Sequence, residues 1–349
     1  MDNLDEIRTR YQLAPPTFAN ICKIAPRPER SAIFQTACTA IELQTFAIRP
    51  AERAWLRYVN EHTGIPYSIS EPVAEPWHKA SLVVQIDLSG QPWPAKLTQA
   101  ARKELHSDRG RIYRVFDQVL RCIIDVLGHR GDGRGVCAGL DVLRSLHAKV
   151  WEGSGTSGAE LLQVEGIGLA RLKKLDDAGV RTIRRLAGLE GYHIERLMSR
   201  NPPYGQTMVR QLAGFPLLTL QVESLGQSEK KATMVAGGGG GSGGVGDGSG
   251  LWMVRVVMGF ENKAVPVWKR KTPWVSCVME GRGEGEEKGR LMWFWRGSVK
   301  RLDVGSGGAG GGGGKEVVVG VAGYQGCKVR VTLACEVVVG TMVQKDLEL

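Results

Sequence analysis

No run of about eighteen apolar residues occurs anywhere in the 349-residue chain, so the sequence predicts no membrane-spanning helix. The start, Met1-Asp2-Asn3-Leu4-Asp5-Glu6, is acidic and lacks the basic and apolar blocks of a secretory signal. The seven cysteines (Cys22, Cys38, Cys122, Cys137, Cys277, Cys327 and Cys335) contain no CxxC pair, and no histidine stands near one at ligand spacing. That scatter argues against a zinc site and suits reduced thiols in a cytosolic or nuclear setting. Nucleotide hydrolysis lacks its signatures as well. There is no GxxxxGK[ST] and no DExH box, and Lys315 is followed by Glu316 where a magnesium-binding hydroxyl would be needed. The stretch 153–158 matches GxGxxG, but a helix rather than a strand precedes it. Asp176 and Asp177 are neighbours on a helix, point about 100° apart and cannot act as paired carboxylates. No serine or cysteine stands in a nucleophile context beside a histidine. The chain reads as no enzyme in its own right.

Positive charge is present in excess. The formal net charge is +10 and the pI near 9.3, which fits an acidic partner, nucleic acid being the commonest. The excess is local. Residues 101–150 hold ten Lys/Arg against six Asp/Glu, residues 251–300 hold ten against five, and the first hundred are balanced.

The most informative stretch is 161–189. Leu161, Leu162 and Val164 form an apolar turn before Gly166-Ile167-Gly168, and a helix follows with Leu169, Leu172 and Leu175 on one face until Gly179 stops it. Two glycines around one aliphatic permit a tight turn and leave helix-start amides facing outward, an arrangement suited to a phosphate oxygen. This is the pattern of a helix-hairpin-helix. Arg171, Lys173 and Lys174 follow one turn later and would add charge to that contact. An ordinary helical turn with a solvated basic face is the plainer alternative. A short helix capped by Thr182 comes next, with Ile183, Leu186 and Leu189 inward.

Residues 108–127 carry a second pattern. With Asp108 as a cap, Ile112, Val115, Phe116, Val119, Ile123 and Leu127 fall on one stripe, and Arg111, Arg114, Gln118 and Arg121 on the opposite face. One side packs and the other is basic, which is either a solvated surface or a helix lining a nucleic-acid path. Elsewhere Pro15, Pro16, Pro26 and Pro28 predict a loose lead-in over residues 1–29. Ser31 is the expected cap of a helix over 32–47, and 79–88 is a strongly apolar helix read as core.

From Leu217 the period changes to that of strands, at 218–222, 251–258, 274–279, 291–295, 317–321, 329–334 and 337–339, a spacing that predicts an immunoglobulin-like β-sandwich. The glycine-saturated stretches 237–250 and 305–314 read as hairpin insertions. Trp268-Lys269-Arg270-Lys271 is a basic loop, either solvated, phosphate-contacting or a weak nuclear signal. The expected fold is therefore multidomain, α then β: a lead-in at 1–29, a helical bundle at 30–152, a helix-hairpin-helix module at 153–213 and a sandwich at 214–349.

Several stretches in this order resemble the Sec-63 domain at the C-terminal end of large superfamily-2 helicases, most of all the meiotic crossover helicase family. They include Ala40-Ile41-Glu42-Leu43-Gln44 with Arg49 and Ala51-Glu52-Arg53, Trp77-His78-Lys79-Ala80-Ser81-Leu82, Asp108 with Arg121-Cys122-Ile123-Ile124-Asp125, and Asn201-Pro202-Pro203-Tyr204-Gly205. Gly259-Phe260-Glu261-Asn262-Lys263 and Val337-Val338-Val339-Gly340-Thr341 continue it into the strands. The resemblance implies the non-catalytic C-terminal part of a 3′-to-5′ DNA helicase acting in meiotic homologous recombination in the nucleus. ATP and magnesium would belong to an upstream helicase core, and no cofactor to this chain. Partners so implied are single-stranded or branched DNA, the helicase core and recombination proteins, with no membrane. By the same resemblance Arg111, Arg114 and Arg121 would line a threaded strand, and Gly166, Gly168 and Arg171 would meet a phosphate. The alternative, drawn from spliceosomal helicases of similar architecture, is a protein-interaction scaffold without nucleic-acid contact.

Overall fold

The computed structural model describes residues 3–90, 93, 95, 97–153, 155–227, 250–282, 289–303 and 314–349. Among the described residues, eleven α-helices precede seven strands in two antiparallel sheets. Apart from Gly250 and Gly314, the glycine-rich stretches lie outside the described residues. No described helix is long and apolar enough to cross a membrane.

The chain begins in helix, not in a loose lead-in. Helix α1 (Leu4–Tyr11) is started by a reciprocal cap in which Asn3 Oδ1 accepts from the Glu6 amide at 2.8 Å and Glu6 returns the bond to Asn3 N at 3.1 Å. Pro15 and Pro16 open α2 (Pro15–Ile21), where a missing N–H costs nothing, so these prolines start a helix rather than break one. Ile7 and Ile21 are buried in the bundle core, and Tyr11 Oη donates to Asp125 at 2.7 Å. The bundle therefore begins at α1, well before residue 30.

Helices α3 (Arg30–Cys38), α4 (Pro50–His62) and α5 (Pro76–Leu88) follow. The first stops at Cys38 and a single 3₁₀ turn, Ile41–Leu43, takes the place of its expected second half; its N-cap is Glu29, not Ser31. Helix α5 is buried all round, as its composition requires.

The longest helix, α6 (Gln99–His129), starts at a Thr98 cap, ten residues before the expected one at Asp108. Asp108 is not a cap at all. It sits buried in mid-helix, accepting from Arg49 at 2.7 Å and from Lys79 at 2.8 Å, while Lys79 also meets Glu52 at 2.8 Å. A carboxylate inside a bundle is tolerable only with such partners. Helix α7 (Gly133–Ala148) lies against α6, close enough that a Cβ on Gly139 would come within 2.8 Å of Ile124.

A 3₁₀ turn, Ala159–Gln163, leads into α8 (Leu169–Asp177), α9 (Ile183–Ala187), α10 (Gly191–Met198) and α11 (Tyr204–Leu212). The strands are β1 (Leu218–Gln227), β2 (Gly250–Phe260), β3 (Trp274–Gly281), β4 (Leu291–Ser298), β5 (Lys315–Gly323), β6 (Lys328–Cys335) and β7 (Val343–Glu348). One sheet has the order β1-β2-β5 and the other β4-β3-β6-β7. The expected strand at 337–339 is absent, and β7 forms further on. Val338 and Val339 are apolar because they pack in a loop against the helices, where Val339 exchanges two hydrogen bonds with the Gln163 amide at 2.9 and 3.1 Å.

Helices and strands share their cores. Leu161, Leu172, Leu175 and Ile183 join one apolar cluster with Val254, Val256, Cys277 and Val331. Strand β3 is buried on both faces: Val275, Cys277 and Met279 face the first sheet, whereas Val278 belongs to the bundle core. The four-stranded sheet is therefore a middle layer between the bundle and the three-stranded sheet. Buried Arg144 of α7 crosses the seam, donating to the Cys335 carbonyl at 2.7 Å and pairing with Asp141 at 2.8 Å and Glu152 at 3.1 Å.

Candidate nucleic-acid interface

Leu161, Val164 and Ile167 are buried beneath the turn into α8, and backbone bonds Val164 N to Leu161 O (3.1 Å) and Ile167 N to Val164 O (3.0 Å) wind it tightly. Gly166 has φ +85°, a conformation open to glycine and costly to other residues. Gly168 is the extended N-cap of α8 and supplies no side chain to the helix start. The first amides of the helix, on exposed Leu169 and Ala170, have no intrahelical acceptor. Leu169 is 48% exposed, contrary to its expected place on the packed face, which Leu172 and Leu175 form without it.

Arg171 folds back over this turn. Its guanidinium donates to the Gly166 carbonyl and stands 5.6 Å from the centre of the Tyr204 ring. Lys174 reaches Ser199 Oγ at 3.3 Å, and Lys173 is exposed. The turn is thereby tied to the start of α11, beside an open depression lined by Ser199, Arg200, Asn201, Pro203, Tyr204 and Thr207. Two glycines set that neighbourhood. A Cβ on Gly205 would lie 1.9 Å from the Gly191 carbonyl oxygen, so α10 and α11 meet backbone to backbone, and Glu195 accepts from the Gly205 amide at 2.8 Å. Gly166, Gly168, Arg171 and Lys174 thus lie about one turn and the depression beside it, to which Ser199, Arg200 and Tyr204 are added, whereas Lys173, about 160° round the helix from Arg171, stands on another part of its exposed arc.

The arginines of α6 do not share one role. Arg111 is exposed, with its guanidinium 5.0 Å from the Phe46 ring centre, and Arg114 is exposed as well. Arg121 is taken up by Asp117 at 3.1 Å and by buried Glu336 at 3.4 Å. Its charge serves the seam with the strands rather than an open face. Burial alone would raise the Asp117 carboxyl, but the His147 hydrogen bond and the Arg121 charge outweigh it and hold the group below its ordinary value.

A different basic stripe of α6 lies outside the pattern read from 108 onward. Arg102, His106, Arg109 and Tyr113 recur at helical spacing, and Trp93 stacks on His106 with ring centres 4.6 Å apart. Burial, and after it the charge of Arg109, depress the His106 imidazole. Arg109 lies 5.6 Å from the Trp93 ring centre and pairs with Asp87 at 3.3 Å. Cations interleaved with flat rings are what a nucleic-acid strand uses for its phosphates and bases. Extending the period back to Thr98 would have revealed this stripe.

The family model of the Sec63 Brl domain matches residues 1–236, which hold the eleven described helices and the first described strand. The chain belongs to the Sec63 domain family. It is 22% identical over 198 residues, 55% of the chain, to the ATP-dependent DNA helicase MER3 of Saccharomyces cerevisiae, and that match covers 16% of the helicase. It is 26% identical over 119 residues, 34% of the chain, to the ATP-dependent DNA helicase MER3 homolog of Oryza sativa subsp. japonica, covering 10% of that protein. With the ATP-dependent DNA helicase homolog MER3 of Arabidopsis thaliana it shares 28% identity over 99 residues, 28% of the chain and 8% of the relative. The chain thus spans a small part of the length of these relatives.

Proposed function

We propose that this Sec63 region is the non-catalytic C-terminal part of a 3′-to-5′ DNA helicase of meiotic recombination, acting in the nucleus and holding single-stranded or branched DNA beside the motor. ATP and magnesium belong to the motor in this reading. The turn at 164–168 with α8 is read as a helix-hairpin-helix and the seven strands as an immunoglobulin-like sandwich. The observation that carries the reading is the surface at the start of α8, where helix-start amides stand beside Arg171, with Lys173 and Lys174 exposed on the same helix. Arg171 in its present place shields the Gly166 carbonyl, so the anion meets amides and guanidinium together. Arg111 and Arg114 extend the positive surface along α6. Arg121 contributes through the seam, by holding the strands to the bundle.

The test is fluorescence anisotropy of labelled single-stranded and forked DNA across a salt series, with the variant R171A/K173A/K174A beside the parent. Each phosphate contact on a single strand contributes about 0.7 to the log–log salt slope, so loss of three makes the slope shallower by about 2. A folded parent that binds neither DNA at low salt refutes the reading and leaves a docking scaffold for other proteins. Relatives named as ATP-dependent DNA helicases support the helicase setting, and the recombination setting is part of the same proposal.

A further inference from the structure

The basic loop before β3 closes a two-residue turn. Trp268 and Lys271 exchange backbone hydrogen bonds, each N–H to the other's carbonyl at 2.9 Å, leaving Lys269 and Arg270 at the tip with φ of 46° and 65°. Two consecutive left-handed residues are the mark of a hairpin turn for which Asn-Gly is preferred. Lys and Arg adopt this backbone against their own steric preference. Among the described residues only six non-glycines have positive φ, and a third of this basic group, Lys149 (φ 57°), is another; it ends α7.

Lys269 and Arg270 adjoin at the tip, and Lys149 stands within electrostatic reach of Lys269. Burial, and after it repulsion from Lys149, depress the Lys269 ammonium. No carboxylate pairs with Lys149, Lys269 or Arg270 among the described residues, and Lys149 Nζ and Lys269 Nζ lie over rings instead, 5.8 Å from Tyr113 and 5.5 Å from Trp268. The turn is held firmly. Trp268 packs on Phe215 with ring centres 4.2 Å apart, and a Cβ on Gly214 would stand 2.6 Å from the Val267 carbonyl oxygen. Like charges held close on an unfavourable backbone, on a rigid base and without an internal counter-charge, are stabilised by an external polyanion.

Tyr113 joins this group to the stripe Arg102, His106 and Arg109 of α6, since Lys149 lies over its ring and also contributes to the depression of His106. Cations and rings therefore run along α6 to Lys149 at the end of α7, which stands within electrostatic reach of the turn before β3. We propose that Lys149, Lys269 and Arg270 form a second phosphate-binding point for single-stranded nucleic acid, prolonging the α6 stripe onto the strand region. It rests on the DNA reading above and concerns residues that the hairpin surface does not include.

The test uses the full chain and fluorescein-labelled oligothymidylate in anisotropy titrations over a salt series. The informative variant is K269N/R270G, which gives the turn the residues its backbone prefers and removes both charges. It is expected to melt no lower than the parent while its log–log salt slope becomes shallower by about 1.4, two contacts at about 0.7 each. Adding K149A should take off about 0.7 more. An unchanged slope for K269N/R270G, with R171A/K173A/K174A still lowering it, overturns this inference and leaves the DNA reading intact. A parent that does not bind the oligonucleotide overturns both. Competition by poly-glutamate equal to that by oligothymidylate at matched charge overturns the assignment to nucleic acid.

Discussion

Glu336 is fully buried and holds three bonds: Arg296 Nε at 2.6 Å, Arg296 Nη2 at 3.0 Å and Arg121 Nη1 at 3.4 Å. E336Q preserves shape and removes charge. One oxygen can still accept from Arg296 Nε, but the new NH₂ then points at Arg296 Nη2 and Arg121 Nη1, donor against donor. Breaking a buried pair costs about 3–5 kcal/mol, and Arg296 keeps Asp125 at 3.2 Å, so the loss should be about 3 kcal/mol. Urea denaturation followed by circular dichroism measures it. The double variant R296M/E336L should lose less than E336Q alone. Its orphans are provided for: Asp125 retains Arg10 and Tyr11, and Arg121 retains Asp117. Should E336Q fall within about 0.5 kcal/mol of the parent, the size of an ordinary surface substitution, Glu336 is not the tie between bundle and sheet that its geometry describes. A double variant worse than the single would equally refute the argument from desolvation.

Three further outcomes follow from the same structure. G205A places a Cβ 1.9 Å from the Gly191 carbonyl oxygen, where backbone cannot yield cheaply; a loss of about 2–3 kcal/mol and a weakened R171-dependent salt slope are expected, read by thermal melting and anisotropy. Burial works against the Asp108 charge, yet bonds from Lys79 and Arg49 hold its carboxyl below the ordinary value. Its contribution is thus complete above the unfolded value of about 3.9 and is lost as pH falls through the lower folded value, so D108N should be about 3 kcal/mol less stable at pH 7 and show a flatter acid limb; parallel acid limbs would contradict this. Glu160 is the reverse case, raised by burial despite the bond from the Ile183 amide and raised further by Glu152. Its charge costs stability above the folded value, so E160Q should melt higher than the parent at pH 7 and equally with it below about pH 4, and a lower melt at pH 7 would show that the carboxylate is needed.

Local patterns were legible where a local cause governs. Apolar period alone marks α5 and the first six strands, and Thr182 caps α9 by accepting from the Arg185 amide at 3.1 Å. The two helices before residue 22 were legible too, in the Asn3–Glu6 spacing and in prolines that suit a first turn, but prolines read as breakers conceal them. Other features have partners far along the chain. Asp108 imitates a cap until Lys79 and Arg49 are seen beside it, and Arg121 imitates a surface cation until Glu336, 215 residues later, comes to meet it. Val337, Val338 and Val339 imitate a strand because a loop packed against helices needs the same apolar side chains. Glycine spacing alone marks the turn before α8, whereas the Tyr204 ring beside Arg171 depends on how α10 and α11 cross.

The seam between helices and strands has a consequence for binding. Arg144 to the Cys335 carbonyl, Gln163 to Val339, and Glu336 to both Arg121 and Arg296 fix the sheet layer against the bundle at separate points along it. Each is buried or half-buried, so salt that screens surface charge leaves them largely intact. Under the proposed function the α8 surface and the turn at Lys269 and Arg270 then stand at a set separation, with no hinge entropy to lose when one strand engages both. Affinity from the second contact is governed by effective concentration, which is high when the connection is rigid and matched to the strand and vanishes when it is not. Loosening the seam should therefore weaken DNA binding through residues that touch no DNA, leaving the salt slope of each separate surface in place while removing the gain from holding both.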